Sequence, residues 1–298
     1  MRFRCVGLGE VLWDVLPAGR QLGGAPANFA CHAAALGAAA AIVSRIGRDP
    51  DGRALDAQLR ALGVSTLALE LDPRAPTGTV TVEIVAGGQP RYAIHEDVAW
   101  DHLAGERAGR EAVAQADAVC FGTLAQRHPV ARATIRALLV GVAPAALRIF
   151  DVNLRQHYHS REVIEASLAL ANVLKVNEDE LPVLRDLFRL PAEPRAALAA
   201  LAERHRLRAV VYTRGAHGCL VWCDGQFADH PGRPVTLVDA VGAGDSFTAA
   251  FAMGLLHRWP LAEVVERASA IAAFVCTQRG ATPALPDELT APFRANPA

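Results

Sequence analysis

The sequence alternates short apolar runs with segments of helical periodicity over most of its 298 residues. A helical stripe with a 3.6-residue period covers Leu261 to Val275. This alternation predicts an α/β fold with a mostly parallel central sheet and helices on both faces. The runs that we expect to form strands of this sheet lie at 3–8, 41–46, 116–121, 147–151, 173–176 and 208–213.

One region departs from the alternation. Thr79 to Val85 alternates apolar and polar residues, Gly87-Gly88 follows, and a strand-like run resumes at Arg91. This pattern predicts a β-hairpin, to which the run from Val11 to Leu16 adds a strand. We therefore expect one domain over residues 1–298, with a small β lid formed by about 12–22 and 70–99.

Composition narrows the class of protein. Hydrophobic residues make up 52% of the chain, and the net charge is −1 without an Arg-rich block, which argues against a nucleic-acid-binding face. The six cysteines show no Cys-x-x-Cys spacing, which favours free buried thiols. The apolar run 33–43 is too short to span a bilayer, and Glu10 and Asp14 interrupt the N-terminal apolar run. We expect no signal peptide, no membrane partner and a cytoplasmic protein.

Several catalytic motifs are missing from the sequence. It contains no G-x-x-x-x-G-K-[ST], no G-x-S-x-G and no H-E-x-x-H. Gly7-Leu8-Gly9 and Gly242-Ala243-Gly244 each begin like a dinucleotide-binding motif but lack its third glycine. Lys175 is the single lysine of the chain, and its place at the end of an apolar run favours a structural role over a catalytic one.

The segment from Val238 to Thr248 carries a glycine-rich turn that leads into a helix ending near His257. Free amides at a helix start bind anions, and glycines let a phosphate approach the backbone closely. Asp245 falls in the first turn beside this anion site, where a carboxylate can accept a proton from an attacking hydroxyl. The alternative for Asp245 is a carboxylate that simply favours the helix N-terminus.

A second segment, Gly23-Gly24-Ala25-Pro26-Ala27-Asn28, places two glycines before a helix with Pro26 in its first turn. The amide of Asn28 can donate hydrogen bonds to sugar hydroxyls and accept them from these groups. The alternative is a plain tight turn and helix start.

Taken together and in this order, the two segments resemble the PfkB (ribokinase-like) carbohydrate kinase family. Asn177-Glu178-Asp179-Glu180 is similar to the family's Asn-x-x-Glu motif, and Thr213-Arg214-Gly215-Ala216-His217-Gly218 is similar to its nucleotide loop. The resemblance covers nearly the whole chain and includes the lid. Gly9 to Asp14, the Gly-Gly-Ala-Pro-Ala-Asn segment and Asp151 to Arg155 look most like bacterial fructokinases.

The resemblance implies an ATP-dependent sugar kinase with a ribokinase-like fold. Asp245 would be the general base, and the backbone of Gly242, Ala243 and Gly244 would form the anion hole. A further set of residues would contact the sugar substrate: Asp14, Gly23, Gly24, Asn28, Arg91, Gln126 and Arg155. Fructose is the leading acceptor.

The resemblance also implies a nucleotide and cation site. ATP would lie against Asn177, Glu180, Thr213, Gly215, Gly218, Gly242, Gly244 and, at the adenine, Ser269. Glu180 would hold Mg²⁺ through water, and Asp239 would lie near a site for K⁺ or another monovalent cation. Related lids pair between subunits, so a homodimer is expected.

Other acceptors stay open, namely ribose, 2-keto-3-deoxygluconate, a nucleoside or a sugar phosphate. For a sugar phosphate, Arg91, Arg127 and Arg155 would have to form a cationic pocket. A dinucleotide-dependent oxidoreductase and a non-catalytic sensor of sugar or nucleotide are the two alternatives of a different class.

Overall fold

The computed structural model describes residues 2–16, 19–84 and 90–295, and at 82–84 and 90–92 it describes the backbone alone. These residues form strands at Arg4–Leu8 (β1), Leu12–Leu16 (β2), Gly19–Gly23 (β3), Ala39–Gly47 (β4), Leu69–Asp72 (β5), Gly78–Ile84 (β6), Pro90–Ile94 (β7), Ala118–Phe121 (β8), Leu147–Asp151 (β9), Val173–Asn177 (β10), Ala209–Thr213 (β11), Cys219–Cys223 (β12) and Gln226–His230 (β13).

The α-helices of the described residues are Ala25–Ala35 (α1), Pro50–Ala61 (α2), Arg107–Ala114 (α3), Pro129–Val140 (α4), Arg161–Leu170 (α5), Glu180–Phe188 (α6), Pro194–His205 (α7), Ala243–Leu256 (α8), Leu261–Cys276 (α9) and Asp287–Arg294 (α10). Short 3₁₀ helices lie at Ala99–His102, Leu124–Gln126 and Gly215–His217.

The large sheet has the strand order β13-β12-β11-β10-β9-β8-β1-β4-β5. The strands from β11 to β5 pair in parallel, while β12 and β13 are added antiparallel at one edge. Residues of α3 to α7 bury one face of this sheet, and residues of α1, α8, α9 and α10 bury the other. The predicted α/β class, with helices on both faces of a mostly parallel sheet, is confirmed.

A separate small sheet has the order β3-β2-β6-β7. Its strands β2 and β6 run parallel, with β3 and β7 antiparallel at the edges. The expected lid began too early at 70, because β5 pairs with β4 and places residues 70–72 in the large sheet. The predicted Gly87-Gly88 turn lies outside the described residues.

Helix starts in this fold use two different devices. The α2 and α5 starts are capped by side chains: Asp49 accepts the amide of Gly52 at 2.7 Å, and Ser160 accepts the amide of Val163 at 3.2 Å. By contrast, α1 and α8 start at glycines, Gly24 and Gly242, without a side-chain cap. These two uncapped starts lie at the candidate site.

The cysteines expected to be free thiols are free: none of the six forms a disulfide within the described residues, and five of them are buried. Across the described ranges, none of the helices is both long enough and apolar enough to cross a membrane.

Candidate active site

The start of α8 forms the centre of the site. Gly242 has φ 79°, and a methyl group added there would lie 2.3 Å from the carbonyl oxygen of Ala281. Only glycine fits this close approach. Among the three amides predicted to form the anion hole, that of Ala243 donates a long hydrogen bond of 3.3 Å to the carbonyl oxygen of Ala240. The geometry at the helix start suits an anion.

Asp245 lies in the first turn of α8, and its carboxylate contacts α1. Asn28 Nδ2 donates to Asp245 Oδ2 at 2.8 Å. Burial and the nearby Asp151 raise the pKa of Asp245 to about 6, against the opposing effects of Asn28, Lys175 and Arg155. A carboxylate with this pKa is ionised at neutral pH and is a better proton acceptor than an ordinary aspartate. The structure thus brings together the two residues that the sequence placed in separate motifs.

The expected sugar side lies next to this pair. Asp14 belongs to β2, and its Oδ2 lies 2.3 Å from the position that a methyl group on Gly23 would take. Gly24, with φ 101°, packs against the carbonyl of Glu10. Burial raises the pKa of Asp14 to about 6, and Arg155 opposes this rise. Asp14, Gly23 and Gly24 thus lie close together near the start of α1, the helix that carries Asn28.

Arg155 and Glu10 face the same group of carboxyls. Arg155 is exposed in the loop after β9, and its charge lowers the pKa values of Asp14 and Asp245. Glu10 is 1% exposed, and its Oε2 has no hydrogen-bond partner among the residues that the structure describes. Burial raises the pKa of Glu10 to about 7, with the Asp245 charge adding to the rise. The sequence analysis did not assign Glu10 to the site.

A buried ion pair lies beneath the start of α8. Lys175 Nζ donates to Asp151 Oδ1 at 3.1 Å, and the two side chains are 7% and 4% exposed. Asp151 ends β9, and Lys175 lies opposite it in the middle of the neighbouring parallel strand β10. The sequence analysis gave Asp151 no role of its own and judged Lys175 to be structural. A signal was available, since Lys175 is the only lysine and lies two residues before Asn177.

Asn177 and Glu180 form a reciprocal cap at the start of α6. Asn177 Oδ1 accepts the Glu180 amide at 3.0 Å, and Glu180 Oε2 accepts the Asn177 amide at 2.9 Å. Glu180 Oε1 accepts the amide of Leu154 at 2.9 Å. Burial raises the pKa of Glu180, while Lys175 opposes the rise. Each oxygen of Glu180 thus already accepts a backbone amide.

The loop after β11 has the geometry of a tight backbone turn. Gly215 has φ 52°, and Gly218 has φ 75° with room for no side chain, because a methyl group would lie 2.0 Å from the His230 carbonyl. Thr213 Oγ1 lies 3.4 Å from the carbonyl oxygen of Val176. This loop and the Asn177 cap follow the adjacent strands β11 and β10, so both lie at the carboxyl edge of the sheet.

Asp239 braces the loops around the α8 start. Its carboxylate accepts the amides of Val241 and Gly280, both at 3.0 Å. Those bonds occupy its two oxygens, so a cation beside Asp239 would depend on backbone carbonyls for part of its coordination.

With this geometry in view, the chain can be compared with known proteins. Residues 12–288 match the family described as pfkB family carbohydrate kinase. The chain belongs to this family. Its members transfer phosphate to an alcohol group, so the chain is a sugar kinase, and the predicted phosphotransferase class is confirmed. The oxidoreductase and the non-catalytic sensor are thereby set aside.

Individual relatives cover nearly the whole chain. A fructokinase of Klebsiella pneumoniae is 31% identical over 297 residues, which are 94% of this chain and 95% of that protein. A sugar kinase structure from Pyrococcus horikoshii superposes with a TM-score of 0.84 at 26% identity over 96% of each chain, and the same kinase is known in complex with ATP. A fructokinase structure from Vibrio cholerae with fructose, ADP and calcium gives a TM-score of 0.81 at 24% identity, over 98% of this chain and 99% of that one.

Two residues expected to contact ligands in this sugar kinase instead lie inside the fold. Gln126 is 1% exposed, and its Nε2 donates to the carbonyl of Gly122 at 2.8 Å and to Ser167 Oγ at 2.9 Å. Ser269 is 7% exposed, and its Oγ lies 3.8 Å from Sγ of Cys219. The Gln126 side chain therefore bonds within the fold, and the Ser269 hydroxyl lies beside a buried thiol.

Of the three arginines proposed for a sugar-phosphate pocket, Arg127 is already paired with a carboxylate. Arg127 makes a bidentate pair with Asp101, at 2.8 Å for each bond, and stacks on Trp100. Arg91 lies in β7, and its side chain is outside the described residues. Arg155 alone of the three is described as exposed at the cleft.

Carboxylates dominate the charge around the α8 start, and oxygen ligands of this kind suit Mg²⁺. Asp151, Glu180 and Asp245 all shift the pKa of Lys175 upward, which shows that the three charges lie near one another. The described residues contain no group of three acids, histidines or cysteines already arranged as a metal cage.

Proposed function

We propose that this sugar kinase transfers the γ-phosphoryl group of ATP to a hydroxyl of a free sugar, with fructose as its acceptor. The observation that carries the proposal is the 2.8 Å hydrogen bond between Asn28 and Asp245 at the anion-binding start of α8. This bond supports the proposal because it joins the residue proposed to bind the sugar to the carboxylate proposed to accept the hydroxyl proton.

In the proposed reaction, Asp245 takes the proton of the attacking hydroxyl as the oxygen forms its bond to the γ-phosphorus. The bond from the γ-phosphorus to the bridging oxygen breaks, and its electrons leave with ADP. The backbone amides of Gly242, Ala243 and Gly244 stabilise the charge on the transferred group. Bound Mg²⁺ would supply further positive charge at the phosphates, and Glu180, whose carboxylate is fixed by its reciprocal cap with Asn177, would be the residue that holds it.

Nucleotide phosphates would lie against the turn formed by Thr213, Gly215 and Gly218, whose two glycines leave backbone amides accessible. K⁺ or another monovalent cation near Asp239 would bind backbone carbonyls of the two loops whose amides, at Val241 and Gly280, hydrogen-bond to Asp239. On the sugar side, Asp14 and Asn28 would accept and donate hydroxyl hydrogen bonds, and Gly23 and Gly24 would let the ring lie close.

Fructose is preferred over the other acceptors for two reasons. The Klebsiella pneumoniae relative, at 31% identity, is a fructokinase. Arg127, which a sugar-phosphate acceptor would need, is already neutralised by Asp101 at 2.8 Å. Ribose, 2-keto-3-deoxygluconate and a nucleoside lack a specific supporting contact in the described residues.

The test is ADP release from Mg-ATP with fructose, ribose, 2-keto-3-deoxygluconate, adenosine and fructose 6-phosphate. We expect the highest kcat/KM with fructose, and loss of turnover in Asp245→Asn. A higher kcat/KM for another acceptor would keep the reaction and replace the sugar. Equal activity in wild type and Asp245→Asn would overturn the proposed base.

The homodimer and the cytoplasmic location stay predictions. The small sheet has β3 and β7 as edge strands, and an edge strand can pair with a second copy. Size-exclusion chromatography with light scattering would contradict the dimer if it gave only the mass of a monomer.

A further inference from the structure

The only lysine of the chain is buried at the centre of the site. Lys175 is 6% exposed, and its Nζ lies 3.1 Å from Asp151 Oδ1. Replacing a buried ion pair with apolar residues is often neutral or stabilising, because desolvation of the two charges offsets their attraction. The pair is therefore a weak means of stabilising the fold, and its position suggests another purpose.

Lys175 also packs directly under the first turn of α8. A methyl group added to Gly244 would lie 3.1 Å from Nζ and 3.7 Å from Cε of Lys175. The ammonium therefore lies just below the backbone that binds the transferred phosphoryl group in the proposed reaction. Glycine at 244 is what allows the helix start to approach the lysine this closely.

The surroundings keep Lys175 charged despite its burial. Desolvation disfavours the ammonium, but Asp151, Glu180 and Asp245 outweigh it and raise the pKa of Lys175. In return, the Lys175 charge lowers the pKa of Asp245, where burial and Asp151 act in the opposite direction. Lys175 is thus the buried cation among three carboxyl groups, one of which is the proposed base.

We propose that Lys175 is a positioning residue for phosphoryl transfer, which supports the first turn of α8 from below. This inference rests on the proposed kinase function. Lys175 holds its proton throughout, since the hydroxyl proton passes to Asp245 and the leaving electrons pass to ADP. A purely structural role would require only the contact with Asp151.

Steady-state kinetics of Lys175→Met, Asp151→Asn and the double variant distinguish a positioning role in phosphoryl transfer from a structural role in neutralising Asp151. We expect Lys175→Met to lower kcat by about 100-fold, the scale of one lost electrostatic contact at a transition state. We also expect the same change to lower kcat further when Asp151 is already Asn. If Lys175→Met causes no further loss in that background, Lys175 serves only to neutralise Asp151, and the proposal fails.

The pH dependence of kcat/KM is a second measurement, which we expect to stay unchanged if Lys175 is only structural. Loss of the Lys175 charge raises the pKa of Asp245, so the acid limb of kcat/KM should move above pH 6. An unchanged limb in Lys175→Met would overturn the proposal. Lys175→Arg keeps the positive charge, so we expect kcat/KM to fall at the same acidic pH as in the wild type. We expect kcat to be partly reduced, because the guanidinium is larger than the ammonium and packs against Gly244.

Because the chain has one lysine, ¹⁵N-lysine labelling gives a single side-chain ammonium signal, which tests Lys175 without mutation or turnover. We expect Mg-ADP with aluminium fluoride, a mimic of the transferring phosphoryl group, to shift this signal more than Mg-ADP alone. Equal spectra with the two probes would count against Lys175. Failure of every sugar in the activity panel would instead count against the proposed function, which this measurement does not require.

Discussion

Helices α1 and α8 begin in the same way but serve the site differently. Each starts at a glycine with positive φ, 101° at Gly24 and 79° at Gly242, and neither has a side-chain cap. They pack against each other in one core, and the Asn28–Asp245 hydrogen bond joins their first turns. Local sequence therefore gives both helices an open N-terminus.

The two helices differ in the groups that lie beside the backbone amides of their first turns. At α1, the backbone amide of Ala25 approaches the buried Glu10 carboxyl, and Pro26 has no amide hydrogen to donate. At α8, glycine and alanine precede Asp245, and no side chain of the described residues makes a capping hydrogen bond to the helix start. An occupied helix start suits neutral hydroxyls, whereas an open one suits a phosphoryl anion. The two helix starts thus share a glycine start but differ in what lies beside their backbone amides.

The largest effect is expected at Asp245 on α8. Asp245→Asn removes the proton acceptor and should lower kcat by about 10²–10⁴-fold, the usual contribution of a general base. Asp287→Asn is the matched control, since Asp287 also lies in the first turn of a helix, α10, but is exposed. Steady-state kinetics showing similar losses in both variants would mean that Asp245 only favours its helix start.

The next effect concerns Gly242. Gly242→Ala should lower kcat by on the order of 10²-fold, because the new methyl group meets Ala281 and displaces the anion-hole amides. Gly225→Ala controls for backbone strain alone: Gly225 has φ 83° with nothing within 4 Å, so it should cost about 1–2 kcal/mol of stability. Kinetics and thermal melts would contradict this account if both variants lost stability but neither lost activity.

A smaller effect is expected when Asn28→Ala removes the link between the two helices. The base must be ionised, so wild-type kcat/KM should fall as pH drops below about 6, the pKa of Asp245. The Asn28 hydrogen bond stabilises the ionised form, and its loss should raise that pKa. We expect the acid limb to move to higher pH and kcat/KM at pH 6 to fall about 10-fold. A limb that stays in place would show that Asn28 does not tune the base.

The smallest effect is expected from Glu10→Gln at the α1 start. Burial raises the pKa of Glu10 from 4.5 to about 7, so its folded form binds a proton more tightly than its unfolded form. This contribution to stability is present below pH 4.5 and is lost as pH rises through 7. The variant stays neutral and should melt at a higher temperature than wild type above pH 7. Thermal melts at pH 5 and 8.5 with the same difference would contradict this.

The starts of α1 and α8 could be predicted from the sequence to within a few residues. Pro26 and the two glycines before it indicated the start of α1, and Gly-Ala-Gly-Asp indicated the start of α8. Both could be read from the sequence because a backbone conformation that needs glycine requires that residue at a fixed position. Gln126 and Ser269 could not be placed this way. Spacing puts them near the correct strand end or helix, but packing decides whether a side chain faces the cleft or Ser167 and Cys219.

The sequence by itself determined the family, the alternation of strands and helices over most of the chain, and the two glycine-rich helix starts that carry Asn28 and Asp245. These follow from periodicity and from glycines at strained positions, which act over a few residues. Only the tertiary structure decided the role of Lys175. A strand of a parallel sheet is buried on both faces, so its pattern does not show which way a side chain points. That Lys175 meets Asp151 and Gly244 depends on the pairing of β10 with β9 and on the packing of α8 above them.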